Sequence, residues 1–468
     1  MRSDDSPAMR DAQDSAPPRP SRPSRRSRRL LLAVPLMLCL AATTGVGTAL
    51  ADGPRSGDPV SALSRAAHPL RSTAPDAPDD ADLRPLGRMI AGADVVGVGE
   101  ATHGSGEFVT TKHRLFRHLV EEKGFTTFAF EIHWSAGVRL DDWVRYGRGD
   151  LSTIMDEEFQ NGGRLWNTEE MADLFRWMRA WNTRHDRPLR IVGDDLTHAG
   201  PVLFDRVTSY VGRHDPELRP EIERLYRESR PTAGVDETMK ARRAMPRADR
   251  QRLRDDARAA LVLLESRAPG PDAREHALVL QHARAIAQNA TLDAFDLVND
   301  VPAALRYRDE MMAANTAWWQ RHTGGRVFLS AHNTHVAGET SAPAYQPKTQ
   351  GEFLREELGR RYVNIGFTFG RGSFNAIRLG DPDMVFQPFS VGAPEADSSE
   401  RTLEQVSRHD YYLDTRAAPP AARDWLRTVH RTRNIGASWP LEAYEPTRLA
   451  QSYDILIHLH RITATHMR

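Results

Sequence analysis

The chain has 468 residues, with 63 basic and 63 acidic side chains and 27% of its residues charged. Forty per cent of the residues are hydrophobic, an ordinary globular composition that allows more than one packed unit. With no basic excess to meet phosphates, neither nucleic acid nor an anionic membrane surface is indicated as a partner.

Residues 1–24 are polar and rich in Pro, Arg and Ser, and are not expected to fold. Arg25, Arg26, Arg28 and Arg29 then precede an apolar run from Leu30 to Ala42, followed by Ala49-Leu50-Ala51. This is the pattern of an export signal cut after Ala51, and "SRRLLL" resembles a twin-arginine signal. The apolar run is too short to span a bilayer comfortably. A secreted or extracytoplasmic protein without a stable membrane anchor is therefore expected. Removing residues 1–51 takes away eight basic and four acidic residues and leaves a net charge of −4. It also removes Cys39, the single cysteine, so no disulfide, thiolate nucleophile or cysteine-ligated metal is expected.

Residues 52–80 are rich in Pro, Ser and Asp and read as a flexible linker with one or two helical turns. The first part of an α/β core follows over residues 81–200. It contains the apolar strand "ADVVGVG", a helix over "EFVTTKHRLFRHLVEEKG" stopped by Gly124, the strand "FTTFAFE", an amphipathic helix around Met171, Leu174, Phe175, Met178 and Trp181, and the strand "PLRIVGDD". Residues 201–319 show only helical periodicity, broken by Pro269, Gly270 and Pro271 into at least two hairpins, and read as a helical subdomain. The second part of the core and a C-terminal segment occupy residues 320–468, with strands at "GRVFLSAHN", "RYVNIGFTFG" and "SYDILIHLHRI". The fold class predicted is α/β, a largely parallel central sheet flanked by helices, with an all-helical subdomain inserted.

Four of these strands end in the same chemistry. Glu100 and His103 follow the first, Glu131 and His133 the second, Asp194, Asp195 and His198 the third, and His332 and His335 the fourth. Ligands of open α/β sheets bind beyond the carboxyl ends of the strands, so these ends are expected to converge on one cleft. Any one position has an ordinary structural explanation, since acids cap helices, as Glu107 is expected to do, and histidines cap carbonyls. His133 and His198 are read in that structural way. So are His113, His118, His322, His458 and His460, which have no acidic partner in their local pattern.

The chain has no G-x-S-x-G elbow, no H-E-x-x-H pair and no phosphate-loop lysine. Histidines and carboxylates without a nucleophile leave two chemistries: a histidine general base acting on water, or water activated by a metal. Glu100 and His103, three apart in a strand-to-helix turn, can face the same cavity. A carboxylate on one imidazole nitrogen then fixes the tautomer and supports the imidazolium formed when the other takes a proton.

The segments "GEATHGSGEF", "FAFE", "RYRDEMMAANTAWW", "AHNTHV" and "GEFLREELGRRYVNIGFTFGRG" occur in one order over residues 85–375. Together they resemble the erythromycin esterase family, which includes macrolactone hydrolases and homologues assigned to succinoglycan biosynthesis. The resemblance implies an α/β core with a helical subdomain, and water activated by a histidine without a covalent acyl-enzyme. That histidine carries over to His103, with Glu100 and Glu131 as surrounding acids and His332 and His335 on the far wall. Lys112, Asp195 and Arg308 are the expected substrate-binding residues. Lys112 stands near a place where arginine is common, and lysine cannot supply a bidentate fork. Lys112, His332 and His335 are the candidate donors to an ester oxyanion. The leading expectation is a secreted hydrolase of a small-molecule ester or lactone, a macrolide among the candidates, with no cofactor. Two alternatives share the cleft: a divalent metal held by His103, Glu131, His332 and His335, or an exported non-catalytic protein associated with polysaccharide. Oligomeric state is not legible in the sequence.

Overall fold

The computed structural model describes residues 57–381, 384–440 and 443–468, and the expected export signal lies outside them. The strands are β1 (His68–Pro69), β2 (Val95–Val98), β3 (Phe125–His133), β4 (Arg190–Asp195), β5 (Arg326–Ser330) and β6 (Tyr362–Arg378). They continue with β7 (Phe386–Val391), β8 (Tyr411–Asp414), β9 (His430–Arg433), β10 (Ser438–Trp439), β11 (Tyr444–Thr447) and β12 (Ile455–Ile462). Among the described residues, ten form one sheet in the order β1-β8-β12-β6-β2-β5-β3-β4, with β7 and β10 also paired to β6. From β12 across to β4 every neighbouring pair is parallel. Antiparallel pairing is confined to β1–β8, β8–β12 and β6–β7, and to the separate ribbon of β9 and β11.

The sheet is covered on both faces, which is why its central strands carry apolar residues on both sides rather than in alternation. Alternate residues of one strand enter different cores. Val96, Val98, Phe128, Phe130 and Phe328 join one, with the helix Gly106–Lys123 supplying Phe108, Leu115, Phe116 and Leu119. Phe116 packs between Phe128 and Phe328, with ring centroids 5.3 and 5.4 Å away. Val95, Ala129, Val192, Val327 and Leu329 join the other, under Trp134, Phe204, Val207 and Trp319. The helix Gly106–Lys123 stops at Gly124, whose left-handed φ of 69° suits glycine at a helix C-terminus. Between β4 and β5 the described elements are all helices, from Pro201–His214 to Val301–Thr323.

Two stretches outside the central strands are tied into the fold. Within the expected linker, Pro59–Ala66 is a helix, capped by Asp58 accepting from the amides of Val60 and Ser61 at 3.2 and 3.1 Å. Ala62 and Leu63 of that helix are buried with Leu403 and Leu426, and His68–Pro69 pairs with β8. The helix matches the one or two turns expected in this run, while its seating on the C-terminal segment is a long-range contact that the local pattern does not signal. Beyond Gly372, β6 continues to Arg378 and pairs with β7. Gly372 has φ 138° and lies so near β12 that a Cβ would meet the carbonyl oxygen of Ile462 at 1.9 Å. Among the described residues, no helix is long and apolar enough to cross a membrane.

Gly137 gives a direct test of the packing of the helix Trp134–Tyr146 on β4. A Cβ there would stand 2.1 Å from the amide nitrogen of Gly193 and 2.9 Å from the carbonyl carbon of Val192, backbone atoms that cannot rotate away. Gly137→Ala should cost about 3 kcal/mol. Gly392→Ala, with open space around it, should change stability by less than about 0.5 kcal/mol. Urea unfolding of the two variants measures both, and equal stabilities would show that the helix is not seated as described.

Candidate active site

The carboxyl ends of β2, β3, β4 and β5 meet on one edge of the sheet, held there by the turn after β5. Asn333 in that turn donates to the carbonyl oxygen of Phe367 at 2.8 Å and accepts from its amide at 3.1 Å. The Asn333 amide donates to the carbonyl oxygen of Glu100 at 2.9 Å. Gly99 makes room for this, because a Cβ there would meet Asn333 Oδ1 at 2.2 Å.

Glu100 is fully buried and divides its carboxylate between two partners. Oε1 lies 2.7 Å from His103 Nδ1, and Oε2 accepts from Lys112 Nζ at 2.6 Å. Lys112 spends its other two N–H bonds on Ser330 Oγ at 3.1 Å and the carbonyl oxygen of Ala331 at 3.2 Å. Burial draws the Lys112 ammonium below its ordinary pKa, against the pull of Glu100. The expectation that Lys112 binds substrate is thus corrected: with its three donors taken, it anchors Glu100 from behind. The ring of His103 rests edge-on against Trp166, centroids 5.1 Å apart, and 4.7 Å from the ring of His332. Its Nδ1 is tied to Glu100, while Nε2 makes no hydrogen bond to any described residue.

Glu131 sits where the register of β3 against β4 slips between Phe130 and His133, a bulge of the kind that re-aims a side chain. Its Oε2 accepts from the amide of His332 at 2.8 Å, and its Oε1 lies 3.2 Å from both Arg308 Nη2 and His335 Nε2. His335 Nδ1 lies 2.7 Å from Asp309 Oδ1. Burial alone would favour neutral His335, but Asp309 and Glu131 outweigh it and push its pKa up to about 10. The ring is therefore an imidazolium that donates from both nitrogens. The 3.2 Å approach of Arg308 Nη1 to its Nε2 is then a contact between two cations, tolerated because three carboxylates surround them. Burial likewise opposes ionised Glu131, yet His335 and Arg308 hold its pKa well below the usual range.

Arg308 reaches down from the helix Val301–Thr323 and forks onto Asp195, Nε to Oδ1 at 3.0 Å and Nη2 to Oδ2 at 2.8 Å. Nη1 is the one arm of this guanidinium with no carboxylate partner. Asp194 lies elsewhere, fully buried against Thr316 and Gln350 at 2.9 and 2.6 Å, and burial pushes its pKa up to about 8. His332 accepts at Nδ1 from Thr334 and donates from Nε2 to the carbonyl oxygen of Ile435 at 3.2 Å. Burial holds His332 well below its ordinary pKa, so it is neutral.

These contacts correct two further expectations. His332 and His335 have both ring nitrogens engaged, so neither is a free oxyanion donor. Among the described residues, no three of His103, Glu131, His332 and His335 bring their donor atoms within 4.8 Å of one another. Glu107 lies in the first turn of its helix, near Ser105 Oγ at 3.4 Å, and its carboxylate also accepts from the amide and hydroxyl of Thr463 at 2.6 and 2.8 Å. His133 lies against Ser135 Oγ at 2.8 Å and accepts from the amide of Ala136 at the start of its helix, with the His198 ring 5.1 Å away. Asp309, quoted in a motif but given no role by the sequence, proves to be the partner that charges His335.

The imidazolium at His335 has a pH signature. A histidine pKa near 6.5 when unfolded and about 10 when folded means full stabilisation below pH 6.5, lost as pH rises through 10. His335→Gln should be less stable than the unsubstituted protein at pH 6, on the order of 3–5 kcal/mol, with the gap narrowing towards pH 10. Urea unfolding at intervals across that range checks the trend, and a gap independent of pH would show His335 to be neutral.

The profile of the family described as erythromycin esterase matches residues 120–462. Erythromycin esterase type II of Escherichia coli is 24% identical over 327 residues, 64% of this chain and 75% of that one. A solved structure described as a succinoglycan biosynthesis protein superposes with a TM-score of 0.78 at 27% identity, covering 88% of this chain and 100% of that one. A mutant of the erythromycin esterase EreC in its open conformation shares the fold, with a TM-score of 0.68 at 18% identity over 84% of this chain and 97% of that one. By the extent of the family match, together with this α/β fold, the chain belongs to the erythromycin esterase family, a membership that supports ester hydrolysis as its general activity.

Proposed function

We propose that the protein hydrolyses a carboxylic ester or lactone, with His103 as the general base that activates water. The observation that carries this reading is the buried Glu100–His103 pair at 2.7 Å, with the far ring nitrogen unbonded. A carboxylate on Nδ1 requires the proton to sit there, which leaves the Nε2 lone pair for a water molecule. As water attacks the ester carbonyl, its proton passes to Nε2 and the imidazolium is held by Glu100. Lys112, bonded to the other oxygen of Glu100, holds the carboxylate in place against the ring. Collapse of the tetrahedral intermediate breaks the C–O bond to the leaving alkoxide, which takes the proton from Nε2 and regenerates the base.

The negative charge on the carbonyl oxygen needs a donor not already spent, and Arg308 Nη1 is the group that meets this condition. Asp195 and Glu131 keep that arginine in place, and His335 pairs with Glu131 rather than take part itself. A macrolide macrolactone is our first substrate class, by likeness to the Escherichia coli relative. An acyl ester carried on a saccharide is the second, by likeness to the protein named for succinoglycan biosynthesis. We place the reaction outside the cytoplasm on the strength of the signal ending at Ala51.

A panel of aryl esters, macrolides and acylated oligosaccharides, read by mass spectrometry of the products, tests the activity. His103→Ala should lower kcat by about 10²–10⁴ with little change in KM. No turnover by the unsubstituted protein, or full activity in His103→Ala, would end this proposal. For export, N-terminal sequencing of protein recovered from the medium of the producing cell should begin at Asp52, and an intact N-terminus would contradict it.

A further inference from the structure

Away from the cleft, Glu404 meets His458 and His460, residues 54 and 56 positions later in the chain. The two histidines are two apart on β12 and so share a face of the sheet. One oxygen of Glu404 serves both: Oε1 lies 3.1 Å from His458 Nε2 and 2.8 Å from His460 Nδ1. The close approach is built in. Gly370 of β6 lies under the carboxylate, and a Cβ there would stand 2.0 Å from Glu404 Oε1.

The outer nitrogen of each ring is also occupied. His460 Nε2 lies 3.2 Å from the carbonyl oxygen of His409, which only accepts, so Nε2 carries a proton. His458 Nδ1 lies 2.9 Å from Thr368 Oγ1, whose hydroxyl is within reach of the carbonyl oxygen of Ile457 at 3.5 Å. With that hydroxyl turned to Ile457, its oxygen accepts from Nδ1. The inner nitrogen of each ring and Oε1 of Glu404 thus face one another, three donor atoms that an ion would share in place of the present hydrogen bonds. Outer-nitrogen hydrogen bonds of this kind fix the tautomer of metal-bound histidines.

We propose that Glu404, His458 and His460 bind one divalent transition-metal ion of the zinc class. Two imidazoles and one carboxylate suit zinc, whereas calcium and magnesium take oxygen ligands. The three donor atoms lie within 4.8 Å of one another. Around a tetrahedral ion with bonds of about 2.0–2.2 Å, ligand atoms stand roughly 3.4 Å apart. The observed 2.8 and 3.1 Å spacings reach that value by opening a few tenths of an ångström. His458 is buried, while Glu404 and His460 are 26% and 22% exposed, which leaves an entry path and an outer position for water. None of the three hydrogen-bonds to a residue of the cleft, so the ion acts as a clip. It ties the helix Ser399–Leu403, through the adjacent Glu404, to the strand His458 and His460 occupy, independently of the ester chemistry.

Chelator-stripped protein, titrated with zinc chloride by calorimetry and melted with and without it, tests the site. One zinc ion per chain should bind at micromolar concentration or below and raise Tm. Glu404→Gln and His460→Gln should each weaken binding at least about tenfold and abolish the Tm rise. His103→Ala should retain both. Far-UV circular dichroism of the His460→Gln variant confirms that it folds, and visible absorption of bound cobalt in the unsubstituted protein reports four- or five-coordination without any variant. No zinc binding below millimolar concentration would overturn the proposal and leave the cluster as histidines ion-paired with Glu404. Binding that survives His460→Gln but is lost in His103→Ala would overturn it equally, by moving the ion to the cleft.

Discussion

Two carboxylates, Glu100 and Glu131, are buried at the carboxyl edge of one parallel sheet, and each must be answered by a cation. An unpaired buried charge costs several kcal/mol, so the chain can place acids there only by bringing bases to them. Lys112 comes from the helix that follows the same strand as Glu100. Arg308 and His335 come from far along the chain to reach Glu131. This pairing fixes the turns after four strands and anchors the long helix Val301–Thr323 to the sheet edge through Arg308 and Asp309. Apolar packing alone would let that helix slide. A bidentate fork onto Asp195 holds it to one position.

The same economy singles out the reacting atoms. Once Glu100 has taken Nδ1 of His103, and Lys112 has taken the rest of Glu100, one lone pair is left over, at Nε2. Around Glu131, every donor of His335 is spent, and Arg308 keeps one arm. A base and an oxyanion donor are thus what remains after the charges have satisfied one another. That explains why nearly every polar group of the cleft is buried and bonded while the site can still do chemistry.

Much of the fold was legible in the sequence because the central strands are covered on both faces. Val95–Val98 and Phe125–His133 are buried at every position, so their apolar residues fall on both faces rather than alternating, and Gly124 marks a helix end by its left-handed backbone. The site was legible only as a convergence, since one strand end with an acid looks like any helix cap. What the sequence hid was direction. Lys112 is twelve residues from Glu100, and nothing in that spacing says that its ammonium lies behind the carboxylate rather than in the cleft. His332 is neutralised as a donor by the carbonyl oxygen of Ile435, 103 residues away. His458 and His460 looked unpartnered because Glu404 lies on a different element. Long-range hydrogen bonds decide roles, and local pattern does not encode them.

The central claim is that Glu100 fixes the proton of His103 on Nδ1 and leaves Nε2 bare. Nitrogen-15 NMR of the protein labelled at histidine, with the His103 signals assigned by their loss in His103→Gln, reads this directly. The account predicts that the neutral His103 ring carries its proton on Nδ1, shifted downfield by the short bond to Glu100. A proton found on Nε2, with Nδ1 bare, would contradict it.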